Sequence, residues 1–168
     1  MYGYPMTTDN IFIGLMSGTS VDAVDAVAVE ITNHQYKIIS THSEQIPAEL
    51  RAQILGLCDP QKESIQLLAE TDHHLGKLYA KATHQLLEKA KLKAPDIRAI
   101  GCHGQTIRHS PPSAGQIPFS LQIGDANILA ADTNITVVAD FTRKDIALGG
   151  QGAPLAPGFH QFAFAKLN

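Results

Sequence analysis

The stretch IGLMSGTSVDAVDAVAVEI, Ile13 to Ile31, sets Gly-Thr-Ser between two strand-like apolar runs and follows it with two aspartates three positions apart. Gly18 permits a tight backbone path. Backbone N–H groups and the hydroxyls of Thr19 and Ser20 can donate to phosphate oxygens, as a backbone anion nest does. Asp22 and Asp25 are candidates to hold a Mg²⁺ water shell, since that ion takes few carboxylates and keeps several waters. The competing reading is a plain hairpin turn with exposed acids. Two familiar loops are excluded. A Walker A loop needs a Gly-Lys-Ser/Thr run, and a nucleophile elbow needs glycines flanking the serine, which Ser17 lacks.

Three further clusters carry chemistry. GCHGQT, Gly101–Thr106, closes a predicted strand, and ligands of open α/β sheets gather at that edge. His103, Gln105 and Thr106 offer neutral donors and acceptors suited to sugar hydroxyls. Cys102 and His103 do not make a catalytic dyad, because neighbouring strand residues point to opposite faces. The spacing of His103, His109 and Cys102 gives no zinc set. In LQIGD, Asp125 is placed to cap the helix that follows. DFTRKDIALGGQGAPL puts Asp140, Arg143, Lys144 and Asp145 after a buried strand and before Gly149, Gly150 and Gly152. Arg143 can fork onto a carboxylate or phosphate, and the glycines allow close backbone approach to a ligand.

The elements that must position these residues follow from periodicity. Residues 1–10 read as a flexible N-terminus and 11–168 as one domain. Ile11–Met16, Val24–Ile31 and Tyr36–Thr41 read as strands, with Asn33-His34 as a turn. Their short links imply an antiparallel meander, since parallel pairs need long crossovers. Pro47 suits a first helical turn. Ser64 caps a predicted helix running to about Leu92, with Leu75, Leu78, Tyr79, Ala82 and Leu86 on one stripe. Strands are predicted at Ile97–His103, Phe119–Ile123 and Ile135–Ala139, with a short helix at Ala126–Ala131. HSPPSAGQIP and ALGGQGAPLAPG read as loops, and FHQFAFA as the start of a helix. This order is not a Rossmann unit, which begins βαβ. It is the α/β, ribonuclease-H-like layout: a mixed five-stranded sheet, its first three strands antiparallel, with flanking helices. Sugar kinases, actin, Hsp70 chaperones and several nucleases share it.

The chain has 168 residues, 44% hydrophobic and 17% charged, which suits one globular domain with a real core. Its net charge of −3 argues against a general nucleic-acid binder. No apolar run approaches the ~20 residues that cross a bilayer, and the first ten residues carry no signal-peptide pattern. A cytoplasmic protein with two free thiols, Cys58 and Cys102, is the expectation.

At IGLMSGTSVDAVDAV, AIGCHGQTIRHSP, LQIGDANILA and ITVVADFTRKDIALGGQGAPLAPGFH the chain resembles the anhydro-N-acetylmuramic acid kinases. The stretches occur in family order across roughly Ile11 to Phe164. The resemblance implies an actin-like ATPase fold and a cytoplasmic bacterial enzyme of cell-wall recycling. Such an enzyme takes 1,6-anhydro-N-acetylmuramic acid, ATP and water, opens the anhydro bridge and phosphorylates O6. Gly18, Thr19, Ser20, Val21, Asp22, Ala23, Val24 and Asp25 would form the first ATP-phosphate loop, with Mg²⁺ near Asp22 and Asp25. His103, Gly104, Gln105 and Thr106 would line the sugar side, with Gly150, Gln151 and Gly152. Asp125, Asp140 and Arg143 are further candidates there. The Thr19-Ser20 bend and the loop at Gln151 are expected to open into one cavity.

Two departures matter. Position 23 is alanine where the family usually has glycine, a crowding methyl if the backbone there needs positive φ. Family members are also about twice as long, are typically homodimers and have two such domains. The second phosphate loop, Asp-Thr-Gly-Pro, carries the aspartate thought to act as general base, and it lies beyond Asn168. The chain therefore reads as an N-terminal portion with little turnover alone. Two alternatives stand beside this reading. One is a non-catalytic binding fragment. The other is a metal-dependent nuclease of ribonuclease-H type using Asp22, Asp25 and Asp140 around two metals.

Overall fold

Alternation decides the first strands. In β1 (Ile11–Ser17), Ile13, Leu15 and Ser17 are buried while Met16 is exposed. In β2 (Ala23–Thr32), Val24, Ala26 and Ala28 are buried, and Asp25, Val27 and Val29 turn to the other face. The computed structural model describes residues 10–32, 35–59, 61 and 64–164. The expected flexible N-terminus and the Asn33-His34 turn lie outside those residues, save Asn10.

β3 (Gln35–Gln45) pairs antiparallel with β2, with a bulge between Ala28 and Val29. β1 also pairs parallel with β4 (Ala99–Cys102), which pairs parallel with β7 (Val137–Ala139). The sheet order is β3-β2-β1-β4-β7. A separate antiparallel hairpin, β5 (Gln105–Ser110) and β6 (Phe119–Ile123), leaves the main sheet after β4. The sequence reading found β6 but assigned no strand to Gln105–Ser110. Gly104 explains the break. Its φ is +74°, and a Cβ there would stand 2.8 Å from the Ile123 carbonyl oxygen. The chain turns out of the sheet at a residue only glycine fits.

Helices α1 (Ala48–Leu57) and α2 (Ile65–Ala90) connect β3 to β4. α2 lies across β2 and β3 and against α3 (Ala126–Thr133). The expected stripe Leu75, Leu78, Tyr79, Ala82 and Leu86 is buried, and Lys77, Lys81, Glu88 and Lys89 face water. Ser64 caps α2 by accepting the Leu67 N–H at 3.3 Å. Ser64→Ala is expected to lose about 1 kcal/mol of unfolding free energy, read by urea denaturation, with Ser64→Asp close to wild type.

α4 (Phe141–Ala147) and α5 (Ala156–Phe164) complete the described chain. α5 touches the sheet at one corner, where Phe159 and Phe162 lie 5.4 and 6.4 Å from the Tyr36 ring, centroid to centroid. Phe141 packs over Gly101 on that face, and the other described residues leave much of it uncovered. Met16, Ile38 and Val138 are about half exposed on it.

Candidate active site

The Gly18–Val21 turn links β1 to β2. It is closed by the Val21 N–H donating to the Gly18 carbonyl at 3.1 Å. Thr19 and Ser20 stand exposed at its tip, and nothing lies within 4 Å of a Cβ built on Gly18. The bend is open and built of small residues. Positive φ falls on Val21, at +54°, and not on Ala23. Ala23 starts β2 opposite Gln45, so its methyl sits on ordinary strand backbone. Val21 is buried, and a buried β-branched residue in the left-handed region marks local strain.

The two aspartates diverge. Asp22 faces α1, where Arg51 Nε lies 3.6 Å from its carboxylate and Arg51 also donates to the Ser20 carbonyl at 3.1 Å. Asp25 accepts from the Ser43 hydroxyl at 2.8 Å on the open sheet face. An odd separation near a strand start sends side chains to opposite sides. The pair does not fit one magnesium ion jointly. Asp22, Asp25 and Asp140 do not form the three-carboxylate cluster of a two-metal nuclease. Among the described residues no cluster of three or more metal-ligating side chains occurs.

Two hollows flank His103. The larger, about 830 Å³, lies on the open sheet face over Gly14 and Gly101, with Met16, Asp25, Val27, Ser43, Lys89 and Phe141 around it. The smaller, about 150 Å³, is the polar one. It collects His103 and Gly104 from the end of β4, Asp125 from the start of α3, and Asp140 and Arg143 from the start of α4. Asp72 of α2 and Gln122 of β6 join them. Thr19, Ser20 and Gln151 line neither hollow, so the cavity expected to join them is neither of these.

Local chemistry sets each member. His103 Nδ1 lies 3.0 Å from the Gly104 carbonyl, and since a carbonyl only accepts, Nδ1 is the donor there. Arg143 forks onto Asp140 through Nε and an Nη, each at 2.7 Å, and the carboxylate holds the guanidinium more firmly charged than usual. Asp125 caps α3, its Oδ1 accepting from the amides of Asn127 and Ile128. Gln105 is buried; its amide donates to the Thr106 carbonyl and its Oε1 has no partner among the described residues. Thr106 accepts from Gln122 Nε2 at 3.0 Å, and Gln122 Oε1 is likewise unpartnered among the described residues. The Gly149–Gly152 loop folds back on α4, with the Gly152 N–H donating to Asp145 at 2.8 Å. Gln151 is left exposed.

The sequence reading missed Asp72 and Gln122. Asp72 carried a signal: it sits three residues before Leu75, on the buried stripe of α2, where a carboxylate needs a partner. That partner is the Gly124 N–H at 2.7 Å. Burial raises the Asp72 carboxyl above its ordinary range, and the Gly124 hydrogen bond opposes it. Cys102 is buried, and burial pushes its thiol up to about 11. It stays protonated near neutral pH and serves as core rather than nucleophile. Iodoacetamide at pH 8 is expected to modify one thiol in the native chain, at exposed Cys58, and two after denaturation. Mass spectrometry reads the count.

Three antiparallel strands followed by two parallel ones, in this order, make a ribonuclease-H-like domain of the actin-like ATPase class. The family model for anhydro-N-acetylmuramic acid kinase matches residues 10–168, and the chain belongs to that family. It is 53% identical over 157 residues to an anhydro-N-acetylmuramic acid kinase of Shewanella sp. strain ANA-3, covering 94% of this chain and 42% of the relative. It is 51% identical over 160 residues to one of Vibrio vulnificus strain YJ016, covering 95% and 43%. The chain thus spans about two-fifths of the length of the curated relatives it matches. No described helix is long and apolar enough to cross a membrane.

Proposed function

We propose that these residues form the first wall of a kinase site for 1,6-anhydro-N-acetylmuramic acid. The Gly18–Asp25 segment faces the ATP phosphates and the His103–Arg143 hollow faces the sugar. In the reaction, water attacks the anomeric carbon, the bridge to O6 breaks, and O6 takes the γ-phosphoryl group. The products are N-acetylmuramate 6-phosphate and ADP. Asp22 or Asp25 would be on hand to order the water shell of a Mg²⁺ ion, which would supply charge neutralisation at the phosphates. The setting is cytoplasmic peptidoglycan recycling, with the whole protein a homodimer. No nucleic-acid partner is proposed.

The observation that carries this reading is the convergence of His103, Asp125, Asp140 and Arg143 from three separate stretches into one polar hollow. Its size supports a wall rather than a whole pocket. Ligand sites commonly enclose roughly 300–1,000 Å³, and this one encloses about 150 Å³. The chain's own residues bind and orient. His103 Nε2 is the ring nitrogen left to meet a sugar hydroxyl, and the exposed edge of the Arg143 guanidinium can donate to an oxygen. Calorimetric titration with 1,6-anhydro-N-acetylmuramic acid tests the reading. Arg143→Ala is expected to weaken binding about tenfold or more, as loss of a charged hydrogen bond does. Equal affinity in the variant, or no binding by the wild-type chain, defeats it.

A further inference from the structure

Asp72 and Tyr79 lie seven residues apart on one face of α2, about 10 Å along its axis. Each reaches a different wall of the site. Tyr79 is fully buried, and its hydroxyl lies 2.8 Å from Ser17 Oγ, itself 2% exposed. Ser17 directly precedes the Gly18–Val21 turn. Asp72 holds the sugar-side loop twice. Its carboxylate accepts the Gly124 N–H at 2.7 Å, and its carbonyl accepts the Asp125 N–H at 3.2 Å. Gly76 lies between the two anchors. A Cβ on it would come within 2.9 Å of the Asp125 carbonyl oxygen, so the helix and the loop meet backbone to backbone. The Tyr79 ring also backs Gly124.

We propose that Asp72 and Tyr79 are positioning residues, and that α2 fixes the separation between the phosphate turn and the sugar-side loop. The inference rests on the functional reading above. The Gly18–Val21 bend is anchored between β1 and β2, and Gly124 and Asp125 join β6 to α3, but neither sets its own distance from the other. The helix does: its hydrogen-bond ladder keeps the rise per residue constant, so two side chains on one face keep their spacing. Tyr79 touches both walls, through its hydroxyl on one side and its ring on the other. In-line transfer needs such spacing, since a misplacement of about 1 Å can cost on the order of 10²-fold in rate.

The two anchors separate by substitution. Tyr79→Phe removes the tie to Ser17 and leaves the ring under Gly124. Asp72→Ala removes the Gly124 acceptor and leaves Tyr79 in place. Asp72→Asn retains a carbonyl oxygen that can accept the same N–H. Amide hydrogen exchange in the 168-residue chain reads the result at the Val21 and Asp125 amides. Both donate to backbone carbonyls that every variant keeps. Tyr79→Phe is expected to speed exchange about fivefold at Val21 and less than twofold at Asp125, one hydrogen bond's worth of local opening. Asp72→Ala is expected to do the reverse, and Asp72→Asn to restore the wild-type rate. In parallel titrations Tyr79→Phe weakens ATP binding and spares the anhydro sugar; Asp72→Ala spares ATP and weakens the sugar. Equal acceleration at both amides in either variant, or no rescue by asparagine, overturns the proposal. A wild-type chain that binds neither ligand defeats the functional reading instead, and the exchange pattern still judges α2.

Discussion

ADP release by this chain, given Mg-ATP and 1,6-anhydro-N-acetylmuramic acid, is expected to fall at least about 10²–10⁴-fold below that of a full-length relative, the span commonly supplied by general acid–base catalysis. Three observations lead there. The polar hollow is a fraction of an ordinary ligand pocket. Its charged members are already paired: Arg143 with Asp140, and Asp125 with the amides of α3. Asp72, the remaining carboxylate of this hollow, is itself held by the Gly124 N–H. Phosphoryl transfer depends on donors and metal arriving from several sides of an in-line array, and one wall supplies part of that array. A coupled assay for ADP, run beside the Vibrio vulnificus relative, measures the ratio. Turnover within tenfold of that enzyme would show that these residues suffice.

Gly124→Ala is expected to destabilise the fold by about 2–5 kcal/mol, the sum of overpacking and left-handed backbone strain. Gly124 has φ +110°, and a methyl there would sit 2.4 Å from Tyr79 Cε2 and 2.9 Å from Cδ2. The ring has nowhere to go, being wholly buried and tied to Ser17. With domain stabilities of about 5–15 kcal/mol, such a loss lowers Tm by roughly 5–15 °C at this size. Gly115→Ala is the matched control, with φ +77° and nothing within 4 Å of the added carbon. It carries the left-handed backbone cost alone, about 1–2 kcal/mol. Circular dichroism melts of the two variants test the packing argument directly: equal shifts would refute it.

What could be read from the sequence was whatever depended on neighbours along the chain. Ser64 and Asp125 cap the helices they precede, and Leu75 through Leu86 bury the stripe their spacing predicts. The three-strand meander follows from link lengths. Other features are set by residues far away. β5 was missed because QTIRHS alternates weakly and because the break at Gly104 answers to Ile123, nineteen residues on. α4 was missed because its N-cap, Asp140, sits in the left-handed region with its side chain turned to Arg143 rather than to the helix. Asp22 and Asp25 look like a pair when written in a row, but strand geometry sends one to Arg51 and the other to Ser43. Asp72 was passed over as one more polar residue on a long helix until Gly124 gave it a partner.

The central place of β1 has a consequence for synthesis. Its first edge meets β2 within a few residues of Ser17, while its second must wait for β4, roughly eighty residues later. At about 5–20 residues per second that delay lasts on the order of 4–16 s on the ribosome. For that interval a strand rich in isoleucine and leucine offers unpaired N–H and C=O groups to any passing polypeptide. The nascent meander should therefore be a client for holding chaperones, released when Ala99–Cys102 closes the edge.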